Sequence, residues 1–222
     1  MSYILNIESS TTNCSISLAL NGKVISLKEI NDEKYSHSTK LHSFIEEVLK
    51  ESNLKITQLS AIAVSKGPGS YTGLRIGIAA AKGLCYSLEI PLISISTLLI
   101  LAKQIKGIDK GLIIPVMDAR RDEVYSAVYN SSYNKVREVF PEIINEESFS
   151  ELVLNNKLYF IGNGQEKCER LIKKNSNLIF SSNDTFPSAN EMAFLSFEKF
   201  NNSKFEDIAY FEPDYLKSFM PG

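Results

Sequence analysis

Apolar positions along the first hundred residues switch between a period of two and a period near 3.6. Tyr3–Ile7 reads as a strand ending at the acid Glu8, and a hydroxyl cluster, Ser9-Ser10-Thr11-Thr12, follows it. Ile16, Leu18 and Leu20 then alternate with Ser15, Ser17 and Ala19, which predicts a half-buried strand. Asn21-Gly22 predicts a type I′ hairpin into a strand over Val24–Leu27. From Ser38 to Glu51 the apolar residues are Leu41, Phe44, Ile45, Val48 and Leu49, one stripe of an amphipathic helix. Ile62, Ala63 and Val64 predict a short buried strand, which Lys66-Gly67-Pro68-Gly69 stops. Ser70 or Thr72 can cap a helix running to about Leu88. A strand over Ile90–Ser96 and a helix over Thr97–Ile105 complete this half.

After Gly107–Gly111, the best linker in the chain, the opening pattern returns. Leu112–Met117 is a strand ending at the acid Asp118, Ala119–Glu123 turns, and Val124–Tyr129 is a second strand. Val136–Phe149 is polar and weakly patterned, a strand and an acidic connection with no clear place. Leu158–Ile161 is a strand, Gly162-Asn163-Gly164 turns into a helix over Gln165–Lys174, and Leu178–Phe180 adds a short strand. Ser188 and Glu191 form a capping box for a helix to about Phe200. The tail, Phe211–Lys217, reads as extended and held by its aromatic rings. The repeated strand–acid–turn–strand predicts two lobes on one α/β plan, each like a ribonuclease H domain. Residues 1–106 form the first lobe and 107–222 a smaller second one, with the helix 188–200 able to pack back on the first.

The helix after the Gly-Pro-Gly turn is unusual. Between Gly73 and Leu88 only Arg75 and Lys82 carry charge, while Gly73, Gly77, Ala79, Ala80, Ala81 and Gly83 are small. A glycine inside a helix costs roughly 1 kcal/mol against alanine. Such a run asks for another backbone close to this face, either in this chain or in another one.

Composition narrows the function classes. With 44% hydrophobic and 23% charged residues in 222, the chain has the make-up of a globular protein. A net charge of −2 argues against gripping nucleic acid through a broad basic face. Cys14, Cys85 and Cys168 lie far apart in apolar surroundings and read as buried free thiols of a reducing compartment. The start has no basic leader, and the longest apolar run, Pro91–Ala102, is too short to span a bilayer, so a cytoplasmic protein with no membrane contact is expected. His37 and His42 sit five positions apart on a predicted helix, roughly 140° around its axis, and cannot chelate one ion together. No metal site and no cofactor are expected.

The acid Glu8 with the hydroxyls after it resembles the opening of actin-like ATPases and sugar kinases, where such a loop holds phosphate. Those loops use a glycine so that the backbone can approach the phosphate, and this loop has none. Glu8, Ser9 and Ser10, with Gly69 and Ser70 at the start of the small-residue helix, remain the candidate phosphate contacts.

Several blocks together resemble one family, TsaB (YeaZ). They are Ile7-Glu8-Ser9-Ser10-Thr11, the run Lys66–Gly77, Ser94-Ile95-Ser96-Thr97-Leu98, Asp118–Tyr125, Gly162-Asn163-Gly164, and the tail Glu212–Lys217 with lysine for the usual arginine. The resemblance covers nearly the whole chain. It implies two ribonuclease-H-like lobes of the actin/Hsp70/sugar-kinase superfamily. It also implies a role in making N6-threonylcarbamoyladenosine beside the anticodon of ANN-decoding tRNAs. In that pathway the paralogue TsaD is the transferase, TsaB its non-catalytic partner, and the ATPase TsaE joins them. The paralogue binds metal partly through a His-x-x-x-His pair, and the matching stretch here, Ser94–Leu101, has no histidine.

Three readings follow: an adaptor that activates a related enzyme, an ATP-dependent phosphotransferase or ATPase, and a metallopeptidase. Two misplaced histidines do not make a peptidase metal site, and the acid loop without glycine disfavours the phosphotransferase. The adaptor, with no catalytic residue and no tight tRNA binding of its own, is the expected reading. The resemblance implies pairing through the two first-lobe helices, as a homodimer alone and as a heterodimer with the paralogue. The expected interface residues are Leu41, Phe44, Ile45, Val48, Leu74 and Ile78, with Leu41, Ile45, Leu74 and Ile78 at its apolar centre and Arg75 and Lys82 nearer the rim.

Overall fold

The computed structural model describes residues 1–32, 37–181 and 185–216; Lys217 of the expected tail lies outside them. Two compact units emerge, one from Met1–Ile100 with Pro187–Tyr215, the other from Leu101–Phe186.

The first unit is built on a five-stranded sheet in the order β3-β2-β1-β4-β5. Its strands are β1 (Tyr3–Glu8), β2 (Asn13–Leu20), β3 (Lys23–Asn31), β4 (Ala61–Gly67) and β5 (Leu92–Ser96). β1, β2 and β3 form an antiparallel meander, and β4 and β5 add on in parallel. Asn21 and Gly22 take φ of 50° and 81°, the two positive angles a type I′ turn requires. Helices α1 (His37–Glu51) and α2 (Tyr71–Leu88) cover one sheet face. Leu41, Ile45, Val48, Ile78, Ala81 and Cys85 there join Leu5, Ile7, Ile16, Ile62 and Val64 in one core.

The other face differs from the sequence reading. β2 is buried on both sides rather than half-buried. The cause is a helix from far down the chain, labelled α6 (Ala189–Asn201), whose Met192 and Leu195 pack on Ile4, Ala61, Ala63, Ile93 and Ile95. Ser15 and Ser17 of β2, which looked solvent-facing, bind its start: Ser15 Oγ accepts from Ala189 N and Ser17 Oγ donates to Ala189 O. Ser188 caps the helix by accepting from Asn190 N at 3.2 Å, and its hydroxyl donates to Glu29 of β3 at 2.7 Å. The second half of the capping box is not closed, because Glu191 binds the side chain of Asn190 instead.

The second unit repeats the plan. After α3 (Thr97–Ala102) come β6 (Leu112–Asp118), β7 (Glu123–Asn130), β8 (Lys135–Ile143), α4 (Ser150–Val153), β9 (Leu158–Ile161), α5 (Gln165–Leu171) and β10 (Leu178–Phe180). The sheet order β10-β9-β6-β7-β8 mirrors that of the first unit: an antiparallel meander extended by two parallel strands. Each sheet thus has the ribonuclease-H-like arrangement that the repeated acid motif predicts. The front of the polar stretch without a clear place forms β8, the edge strand, whose Arg137 pairs with Glu142 at 2.6 Å.

Candidate functional site

The acid loop and the Gly-Pro-Gly turn do come together, but they fill each other. Glu8, Ser9 and Ser10 are each 0% exposed. The Ser10 carbonyl accepts from Ser70 N at 2.6 Å, and Ser9 Oγ donates to the Gly73 carbonyl at 2.9 Å. A Cβ at Gly69 would fall on the Ser10 carbonyl, one at Gly73 on the Ser9 carbonyl, and one at Gly77 on Ser9 Oγ. The close neighbour that those glycines call for is therefore this chain's own loop, not a second helix. The anion position at the head of α2 is taken up internally too: Ser70 caps it by accepting from Gly73 N. Burial pushes the Glu8 carboxyl up to about 7 against the pull of hydrogen bonds from Ser10.

The residues expected at a partner interface divide into two groups. Leu41, Ile45, Val48, Leu74 and Ile78 are at most 5% exposed, and Phe44 is half-buried against the same core. Five strands give the sheet a face wide enough for both helices, so their apolar stripes point inward. Arg75 and Lys82, one face of α2, hold the chain's own tail rather than a rim. Arg75 lies 4.1 Å over the Tyr71 ring and donates to Tyr215 Oη at 3.0 Å. Lys82 Nζ donates to the carbonyls of Ala209 and Phe211. Tyr71 and Tyr215 pack with ring centroids 5.0 Å apart, and Lys66 pairs with Asp214. The tail is thus ordered by its aromatics, as its composition suggests.

What the two helices leave outward is a shallow groove of about 530 Å³, lined by Ser38, His42, Ile76, Ala79, Ala80, Gly83 and Leu84. Gly83 is the informative residue. A Cβ there meets nothing within 4 Å, so nothing in its own unit accounts for a helix-interior glycine. The signal was present in the sequence as the small-residue run, but only the structure separates its inward glycines, Gly73 and Gly77, from its outward one. His42 faces this groove, whereas His37 is buried with Nε2 2.6 Å from the Thr11 carbonyl. No cluster of metal-binding side chains occurs among the described residues. Cys14, Cys85 and Cys168 are buried free thiols, pushed by burial to about 11, 12 and 12.

In the second unit, Asp118 occupies the place of Glu8. Glu8 Oε1 accepts from the N–H two residues on, at Ser10, and Asp118 Oδ1 does the same at Arg120. There the acid is exposed and also takes Lys167 Nζ at 2.9 Å. The two acids are one device used twice, sealed in the first unit and open in the second.

Comparison with known proteins fits this geometry. A family model described as TsaD, tRNA N6-adenosine threonylcarbamoyltransferase, matches residues 30–218. The tRNA threonylcarbamoyladenosine biosynthesis protein TsaB of Bacillus subtilis is 32% identical over 220 residues, covering 96% of this chain and 93% of that protein. The chain belongs to the TsaB (YeaZ) family. A tRNA N6-adenosine threonylcarbamoyltransferase from Anoxybacillus flavithermus is 31% identical over 108 residues, but only 42% of this chain and 32% of that one take part. The TsaB relative thus spans the chain, and this transferase relative aligns with only a piece of it. The fold agrees: YeaZ from Pseudomonas aeruginosa superposes with a TM-score of 0.80 at 23% identity, over 97% of this chain and 100% of that one. No helix among the described residues is long and apolar enough to cross a membrane.

Proposed function

We propose that this TsaB-family chain is a non-catalytic partner in the synthesis of N6-threonylcarbamoyladenosine beside the anticodon of ANN-decoding tRNAs. It binds a TsaD-type paralogue through the outer side of α1 and α2 and holds it in an active form. A TsaE-type ATPase joins the pair, and the chain works in the cytoplasm without tight tRNA binding of its own. Without the paralogue, a second copy takes the same surface, so the two partners compete.

The observation that carries this reading is Gly83, whose open side lies in an apolar groove between two helices. A helix with small residues outward lets a second helix approach closely. The expected interface residues beneath serve as its rigid support, not its contact surface. The sealed acid loop supports the adaptor over a stand-alone ATPase, because Glu8, Ser9 and Ser10 face protein rather than solvent.

The test places a charge in the groove without touching the core. Ala79→Glu and Gly83→Glu are expected to abolish both the homodimer in sedimentation and capture of the paralogue, with circular dichroism still reporting a folded monomer. Wild-type pairing by both variants would place the interface elsewhere. ATP turnover by the isolated protein above background would favour the phosphotransferase reading instead.

A further inference from the structure

Glu8 closes β1 inside the first unit, and its two carboxyl oxygens have unequal surroundings. Oε1 accepts twice from Ser10, from the backbone N–H at 2.7 Å and the hydroxyl at 2.5 Å. Oε2 is buried without a hydrogen-bond partner, and so is Ser65 Oγ. β1 and β4 run parallel with Ile7 opposite Val64, so Glu8 and Ser65 come next to each other on one face of the sheet. A carboxylate charge sealed in a dry interior, with a single hydroxyl in reach of Oε2, is unfavourable. One proton on Oε2, with a small rotation to aim it, donates to Ser65 Oγ and serves both.

We propose that Glu8 carries a proton in the folded chain and works as a proton-dependent latch, joining β1 to β4 and holding the acid loop shut against α2. The proton comes from water and returns to it. When it leaves, a buried carboxylate is left without a cation, and the loop contacts to Ser70 and Gly73 must yield to admit water.

The surroundings agree. Around Glu8 stand the Ser9 backbone N–H and the Ser10 hydroxyl from the loop and the Ser65 hydroxyl from β4. From β2 the Cys14 thiol feels its charge and is raised partly by it. Glu29 of β3 is taken up by Ser15 and Ser188. Burial is the largest influence on the Glu8 carboxyl, raising it from 4.5 to about 7, and the hydrogen bonds that oppose it come from serines. A carboxyl raised on folding binds its proton more tightly in the folded state. Its stabilising effect is then complete below about 4.5 and drains away as the pH climbs towards about 7.

Glu8→Gln tests this, because glutamine keeps the shape, donates to Ser65 and cannot ionise. At pH 4 the variant and the wild type should unfold at the same urea concentration. By pH 8 the variant's folding constant should exceed the wild type's, on the order of a hundredfold. Carbon-13 titration of Glu8 in the wild-type protein reads the same proton without any substitution and should show a midpoint near neutrality. A Glu8 signal titrating in the ordinary carboxylate range, or a glutamine variant that follows the wild type at both pH values, overturns the latch.

Discussion

Ser9 Oγ donates to the Gly73 carbonyl at 2.9 Å across 64 positions of sequence. This bond explains why one helix carries three glycines for two different reasons. Gly73 and Gly77 make room for the acid loop, and Gly83 makes room for nothing within its own unit.

Substitution separates the two. Gly77→Val drives a branched side chain into Ser9 and should destabilise the protein by about 3 kcal/mol or more. Gly83→Ala should stabilise the isolated chain by about 0.5–1 kcal/mol, since the methyl group enters open space and helix propensity rises. Urea unfolding of both variants reads the difference directly.

Ile45 and Ile78 are 3% and 5% exposed. A carboxylate at either lies in the core between helices and sheet, where no partner can neutralise it. Ile45→Glu and Ile78→Glu should therefore lose more than about 4 kcal/mol and fail to give a folded monomer by circular dichroism. On the exposed side of the same helix, Ala79→Glu should change stability by less than about 0.5 kcal/mol.

Ser188→Ala removes the cap of α6 and one of the two hydroxyls that Glu29 accepts from. The expected cost is about 1–2 kcal/mol. Amide exchange should quicken at Asn190 and its neighbours, while amides in the second unit's sheet stay unchanged.

How much of this was legible depends on how far apart in the chain the causes lie. The Asn21-Gly22 hairpin could be read because both residues suit the positive φ that the turn demands. The doubled plan could be read because Glu8 and Asp118 each end an apolar strand at a turn. The covering of β2 could not, because Ser15 and Ser17 alternate like a solvent face until Ser188 and Ala189 arrive to bind them. The α1 stripe is plain in the sequence, but amphipathicity does not say whether its partner is a sheet or another chain. Edge strand β8 was obscured by its polar residues, Arg137 and Glu142 among them, which pair across the strand's own surface.

Helix α6 belongs with the first unit although the whole second unit is encoded before it. On a ribosome, the first hundred or so residues therefore emerge with Ile4, Ala61, Ala63 and Ile93 bare to water, since Met192 and Leu195 that cover them have not yet been made. The sheet must wait for the rest of the chain to be translated before its second side closes. A stop codon anywhere in the second unit would strand that apolar surface permanently, and quality control would meet a half-dressed sheet rather than a shortened but sound domain.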